Sequence, residues 1–210
     1  MKAFIFDLDG VIVFTDKFHY QAWKKMADRM DIYFDETINN RLRGVSRMDS
    51  LEIILENYKG HKLGQREKDL LAAEKNDNYR KLLETMTPDD VSTDVRNTLK
   101  ELRHRGYKLA IGSSSKNTKF ILERVGLMDA FDAISDGTNI TKSKPDPEVF
   151  LKAAEYIGES PKDCYVVEDA YSGIDAAEAG GMTSVGIGDA AGYDKTDIKI
   201  QKFSDILSLS

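Results

Sequence analysis

The first acidic residues of the chain are spaced for chemistry: Asp7-Leu8-Asp9-Gly10 follows the apolar run Ala3-Phe4-Ile5-Phe6. Such a run, apolar without polar alternation, predicts a strand covered on both faces. Two carboxylates one residue apart at a strand exit can share a cation, or divide the work of nucleophile and general acid/base between Asp7 and Asp9. Gly10 lets the backbone turn without Cβ strain. Asp-Gly also marks ordinary turns. A calcium loop is excluded, because no glutamate stands at its twelfth position and a strand, not a helix, precedes it.

Three further segments offer complementary groups. Gly112-Ser113-Ser114-Ser115-Lys116-Asn117 follows a second apolar run and precedes a helical pattern. Hydroxyls, free backbone N–H groups and a lysine suit a phosphate there, although a serine cap beside a solvated lysine reads the same way. Lys144, in Lys142-Ser143-Lys144-Pro145-Asp146-Pro147, can neutralise a phosphoryl group in transit; Lys-Pro is also a common surface start to a helix. Tyr165-Val166-Val167 runs into Glu168-Asp169, oxygen donors of the kind Mg²⁺ takes. Each segment alone has a bland alternative. Together they are the parts for phosphoryl transfer, where positioning and charge neutralisation do most of the catalysis.

Positioning these groups falls to a strand–helix alternation. Strands are predicted over 3–6, 108–111, 133–134, 165–167 and 184–187. Helices are predicted over 91–105, 117–125 and 147–157, ended by Gly106, Gly126 and Gly158. That rhythm implies an α/β fold, a doubly wound parallel sheet of Rossmann-like type, with ligands beyond the carboxyl ends of the strands. Residues 15–86 break it, being helical almost throughout. The expected organisation is a catalytic core of 1–14 and 87–210 with an inserted helical cap of 15–86.

With 210 residues there is room for one domain and an insertion. A net charge of -6 argues against a general nucleic-acid surface. The single cysteine, Cys164, lies in an apolar run, reads as a core residue and fits a reducing compartment. No stretch approaches a membrane span, so a cytoplasmic location is expected, with no membrane partner. Trp23, at helical spacing from His19, reads as cap packing.

The order of Asp7-Leu8-Asp9-Gly10, Ser113, Lys144-Pro145 and Glu168-Asp169 resembles the haloacid dehalogenase superfamily. Within it, Arg43-Gly44-Val45-Ser46-Arg47, Lys75-Asn76-Asp77-Asn78-Tyr79, His19, Trp23 and Ser115-Lys116-Asn117 are similar to the substrate-facing segments of the β-phosphoglucomutase branch. The resemblance implies that Asp7 is phosphorylated and that Asp9 exchanges a proton with the sugar hydroxyl. One Mg²⁺ would be held by Asp7, Asp9 (through its backbone carbonyl), Glu168 and Asp169. Ser113, Ser114 and Lys144 would hold the phosphoryl group in transit; Arg47, Ser115, Lys116 and Asn117 would hold the sugar's second phosphate. Thr15, His19, Trp23, Arg43, Gly44, Val45, Ser46 and Lys75 would line the substrate side of the cap.

It further implies a small phosphosugar substrate and β-glucose 1,6-bisphosphate as primer and intermediate; a monomer is the default expectation. Departures are Arg43 where the branch usually has lysine, Val13-Phe14 before Thr15, Ala170 after the Glu-Asp pair, and Ser114 in place of alanine. A sugar-phosphate phosphatase would use the same core, and a catalytically silent phosphosugar-binding module is the alternative of another class.

Overall fold

Alternate residues of a strand point to opposite faces of its sheet, and in the first apolar run both sets are buried. The computed structural model describes residues 2–43 and 45–209. Its strands are β1 (Ala3–Phe6), β2 (Lys108–Gly112), β3 (Ala133–Ser135), β4 (Cys164–Glu168), β5 (Thr183–Gly186) and β6 (Ile198–Lys199). They form one parallel sheet in the order β3-β2-β1-β4-β5-β6. The helices, in chain order, are α1 (Asp16–Arg29), α2 (Glu36–Asn40), α3 (Arg47–Leu55), α4 (Gln65–Leu83), α5 (Thr93–His104), α6 (Thr118–Arg124), α7 (Glu148–Ile157) and α8 (Tyr171–Ala179).

The sequence anticipates five of these strands to within a residue or so at each end. It misses β6, whose two residues leave no run to read. Helix α5 starts after Ser92, whose hydroxyl accepts from the Val95 N–H at 3.2 Å. Helix α7 ends on Gly158, at φ +68°.

The chain divides into two units, Met1–Phe14 with Met86–Ser210, and Thr15–Thr85. In the first, one sheet face packs Ala3, Ile5, Ala110, Cys164 and Val166 against Val149, Phe150, Ala153, Ala176 and Ala177 of α7 and α8. On the other face the Phe4 ring stacks on Tyr165, with centroids 4.9 Å apart, and Phe6 meets Phe131 and Phe203. Cys164 is a buried core residue, its thiol pushed up to about 11 by burial and by the nearby Glu159 and Asp163 charges.

The second unit is helical, with no strand among its described residues. Trp23, Met26 and Ala27 of α1 form its core with Leu51 and Ile54 of α3 and Leu71 and Ala72 of α4. Among the described residues no helix is long and apolar enough to cross a membrane.

Candidate active site

Chain order sets the site. From β1 the sheet is built outward through β2 and β3 on one side and β4 on the other, so the direction reverses beside β1. The carboxyl ends flanking such a switch point frame a crevice. Register does the rest: Phe6 pairs with Ile111 and with Val167. The next residues, Asp7, Gly112 and Glu168, therefore emerge in one row, and the Asp7 N–H bonds the Val167 carbonyl at 2.9 Å.

Beyond that row the chain turns tightly. The N–H groups of Ile12 and Val13 bond the Leu8 carbonyl, and Gly10 donates to the Val13 carbonyl at 2.7 Å. Gly10 has φ +86°, and a Cβ there would lie 2.1 Å from Asp169 Oδ2. Only glycine lets the Asp9 turn approach Asp169 this closely.

Carboxylate oxygens of Asp7, Glu168 and Asp169 lie within 4.8 Å of one another. Into this group comes the Lys144 ammonium, bonded to Asp7 Oδ1 at 2.6 Å and Glu168 Oε1 at 2.5 Å. Lys144 is 5% exposed and Glu168 1%, so both charges sit where an unpaired ion would be costly. Burial opposes the Lys144 charge, but Asp7 and Glu168 outweigh it and raise the ammonium's pKa. Burial likewise raises the Glu168 carboxyl, Asp7 adding to the shift and Lys144 opposing it. Asp169 is pushed up to about 8 by burial and then by the charges of Glu168, Asp7 and Asp9.

Three carboxylates against one ammonium leave a surplus of negative charge when all are ionised. A hard divalent cation corrects that surplus, and an all-oxygen donor set is what Mg²⁺ prefers. The residues present fit the metal.

The serines after β2 do two jobs. Ser113 Oγ accepts from the Ser115 N–H at 3.2 Å, and Ser115 Oγ from the Asn117 N–H at 3.1 Å, so both hydroxyls help build the turn itself. Their O–H protons remain for another acceptor. Ser114 Oγ is buried without a partner among the described residues. Lys116 is exposed and Asn117 buried.

A second loop braces this one, which the sequence does not reveal. Gly137 donates to the Ser115 carbonyl at 3.1 Å, and a Cβ on it would meet the Ser114 carbonyl oxygen at 2.4 Å. Asp136, 1% exposed, shapes the bracing turn by accepting from the Thr138 N–H and hydroxyl. Ser135-Asp136-Gly137-Thr138 reads as an ordinary turn; only the long-range approach marks it.

The helical unit gathers the remaining candidates. Lys75 is buried, with Nζ 2.8 Å from His19 Nδ1 and 4.8 Å and 4.5 Å from the ring centres of Trp23 and Tyr79. Burial, then the Lys75 and Arg47 charges, lowers the His19 pKa well below its usual value. The ring is thus held neutral beside the Lys75 side chain. Thr15 Oγ1 lies 2.9 Å from the Tyr79 hydroxyl.

Arg47 donates to Asn76 Oδ1 at 2.7 Å, Ser46 caps α3 through the Asp49 N–H, and Arg43 lies 3.8 Å from Asp16. Val45 is partly buried, whereas Gly44 lies outside the described residues. Trp23 is 2% exposed within the unit's core, so its indole is packing and carries no open face for a ligand.

The chain is 41% identical over 207 residues to the β-phosphoglucomutase of Bacillus subtilis (strain 168), covering 98% of this chain and 92% of that one. It is 31% identical over 188 residues to a fructose-1-phosphate phosphatase of Escherichia coli (strain K12), covering 87% and 94%. The crystal structure of a β-phosphoglucomutase from Clostridium difficile superposes with a TM-score of 0.92 at 37% identity, covering 98% of this chain and 93% of that one. Residues 1–181 match the haloacid dehalogenase-like hydrolases, and the chain belongs to that family.

Proposed function

We propose that the chain interconverts β-glucose 1-phosphate and glucose 6-phosphate through a phosphorylated Asp7. The C6 hydroxyl of β-glucose 1-phosphate attacks the phosphorus carried by Asp7 while Asp9 takes its proton. The bond from phosphorus to Asp7 breaks, regenerating the carboxylate and giving β-glucose 1,6-bisphosphate. With the sugar turned around, Asp7 accepts the C1 phosphoryl group and Asp9 returns the proton to the C1 oxygen. General acid/base help of this kind contributes about 10²–10⁴-fold.

Lys144, with Ser113 and Ser114, faces the phosphoryl oxygens. Mg²⁺, held by Asp7, Glu168, Asp169 and the Asp9 backbone carbonyl, would supply further neutralisation of their charge. Ser115, Lys116 and Asn117 with Arg47 are assigned to the sugar's second phosphate, and Thr15, His19, Arg43, Val45, Ser46 and Lys75 to the substrate side of the helical unit.

The observation that supports this reading most is the Lys144 ammonium, 2.6 Å from Asp7 beside Glu168, in a chain 41% identical to a β-phosphoglucomutase along 98% of its length. A sugar-phosphate phosphatase is the second reading, favoured by the 31% identity to a fructose-1-phosphate phosphatase. Phosphorus NMR of β-glucose 1-phosphate incubated with enzyme, Mg²⁺ and a trace of bisphosphate decides between them. Glucose 6-phosphate is expected; glucose and inorganic phosphate alone would establish the phosphatase. Arg47→Ala is expected to reduce mutase turnover far more than primer-independent phosphate release, and equal losses would remove Arg47 from its assigned role.

A further inference from the structure

Lys144 reaches Asp7 from a loop, and a loop lysine needs something to hold its backbone. The loop between β3 and α7 is closed by a carboxylate, that of Glu148, the first residue of α7. Its Oε2 accepts from the Thr141 N–H at 2.9 Å, the Thr141 hydroxyl at 2.9 Å and the Lys142 N–H at 2.8 Å. Its Oε1 pairs with Lys152 Nζ at 2.8 Å, and Lys152 also donates to the Asn139 carbonyl. The Glu148 N–H in turn donates to Asp146 Oδ1 at 3.0 Å. Anchors thus stand on both sides of Lys144, tied to one residue: Thr141 and Lys142 to the Glu148 carboxylate, and Asp146 to the Glu148 N–H.

Lys152, followed by the Lys142 and Thr141 N–H groups, holds the Glu148 carboxyl down to about 2. It is ionised throughout the working pH range. A first-turn glutamate also favours its own helix N-terminus. That role needs no bonds reaching back to Thr141 and Lys142, so the helix alone does not explain the geometry.

We propose that Glu148 is a positioning residue for phosphoryl transfer, clamping the loop so that the Lys144 ammonium meets Asp7. The inference rests on the reading of Lys144 as the group that neutralises the phosphoryl oxygens. Glutamine is a stringent replacement. It can offer its oxygen to the Thr141 and Lys142 donors, but its amide hydrogens then face the Lys152 ammonium, donor against donor. Aspartate keeps the charge and falls one methylene short.

The test compares wild type, Glu148→Gln, Glu148→Asp and Lys144→Ala in Mg²⁺-dependent turnover of β-glucose 1-phosphate with bisphosphate primer. Thermal melting and the ¹⁵N signal of the Lys144 ammonium, assigned by its loss in Lys144→Ala, are read on the same samples. Misplacement of a catalytic group by ~1 Å can cost ~10²-fold. Glu148→Gln is therefore expected to lower kcat by about ten- to a hundredfold with KM within about twofold, and to broaden the ammonium signal while the protein stays folded. Glu148→Asp should recover part of the rate.

An unchanged kcat in Glu148→Gln, or a loss matched by the unfolded fraction with the ammonium signal intact, overturns the proposal. Full turnover in Lys144→Ala would instead overturn the role given to Lys144. The ammonium signal still decides whether Glu148 holds that side chain.

Discussion

Replacing Asp169 with asparagine should stabilise the metal-free protein at alkaline pH. Asp169 shares a site with Glu168, Asp7 and Asp9, and its carboxyl is pushed up from 3.8 to about 8. A group whose folded-state pKa is raised binds its proton more tightly when folded. The stability tied to that proton is complete below the ordinary carboxylate pKa and is lost as pH climbs from about 4 towards about 8. Asparagine has the same shape and nothing to ionise, so it escapes the loss.

At about 1.36 kcal/mol per pKa unit the full shift amounts to roughly 5–6 kcal/mol, an upper bound. The side chain keeps some contact with solvent, so about 2–3 kcal/mol is the working figure. For a chain of this size that is a melting-point difference of roughly 5–10 °C. Circular-dichroism melts of both proteins at pH 5 and pH 8, with EDTA and with saturating Mg²⁺, provide the measurement. Midpoints are compared rather than unfolding energies, since two units need not melt as one transition.

Asp169→Asn should melt higher than wild type at pH 8 in EDTA, with the gap closing at pH 5. Mg²⁺ at about a hundred times its dissociation constant adds about 2.7 kcal/mol to wild type, and less to the variant, which has lost an anionic ligand. A gap that does not change with pH, or a variant that melts lower at pH 8 without metal, would refute the electrostatic account.

What the sequence reveals of this site follows from what a parallel sheet does to local signals. Asp7, Gly112 and Glu168 each follow an apolar run, and the register Phe6↔Ile111 and Phe6↔Val167 turns three separate exits into one row, with Ser113 one residue beyond it. Local pattern and global geometry coincide there. They part company where a residue is decided by a distant neighbour. Gly137 is an unremarkable turn glycine until its Cα is seen against the Ser114 carbonyl. Glu148 is one more acid in a helix's first turn until its bonds to Thr141 and Lys142 appear.

Lys75 lies in a strongly charged helix and would be taken for a solvated lysine on periodicity alone; its burial under His19, Trp23 and Tyr79 comes from the packing of α1 on α4. In the sequence the serines after β2 admit two readings, phosphate site or cap. Their hydroxyls do brace the turn, and each keeps a proton to donate.

Lys144→Met leaves the Asp7 and Glu168 carboxylates buried without their shared cation, which should cost about 3–5 kcal/mol in denaturant unfolding, partly restored by Mg²⁺; a loss below about 1 kcal/mol would mean that the pair is already neutral in the metal-free protein. Gly10→Ala separates strain from collision when set beside Gly158→Ala. Both glycines have positive φ, +86° and +68°, so alanine at either should cost about 1–2 kcal/mol of backbone strain. Around Gly158 a new Cβ meets nothing within 4 Å, whereas at Gly10 it would lie 2.1 Å from Asp169 Oδ2 and must displace that carboxylate. Calorimetric titration should therefore find Mg²⁺ affinity unchanged in Gly158→Ala and at least about tenfold weaker in Gly10→Ala, a difference of about 1.4 kcal/mol. Equal affinities in the two variants would show that Asp169 can move aside without leaving the metal site, and that the close approach of the Asp9 turn has no part in placing it.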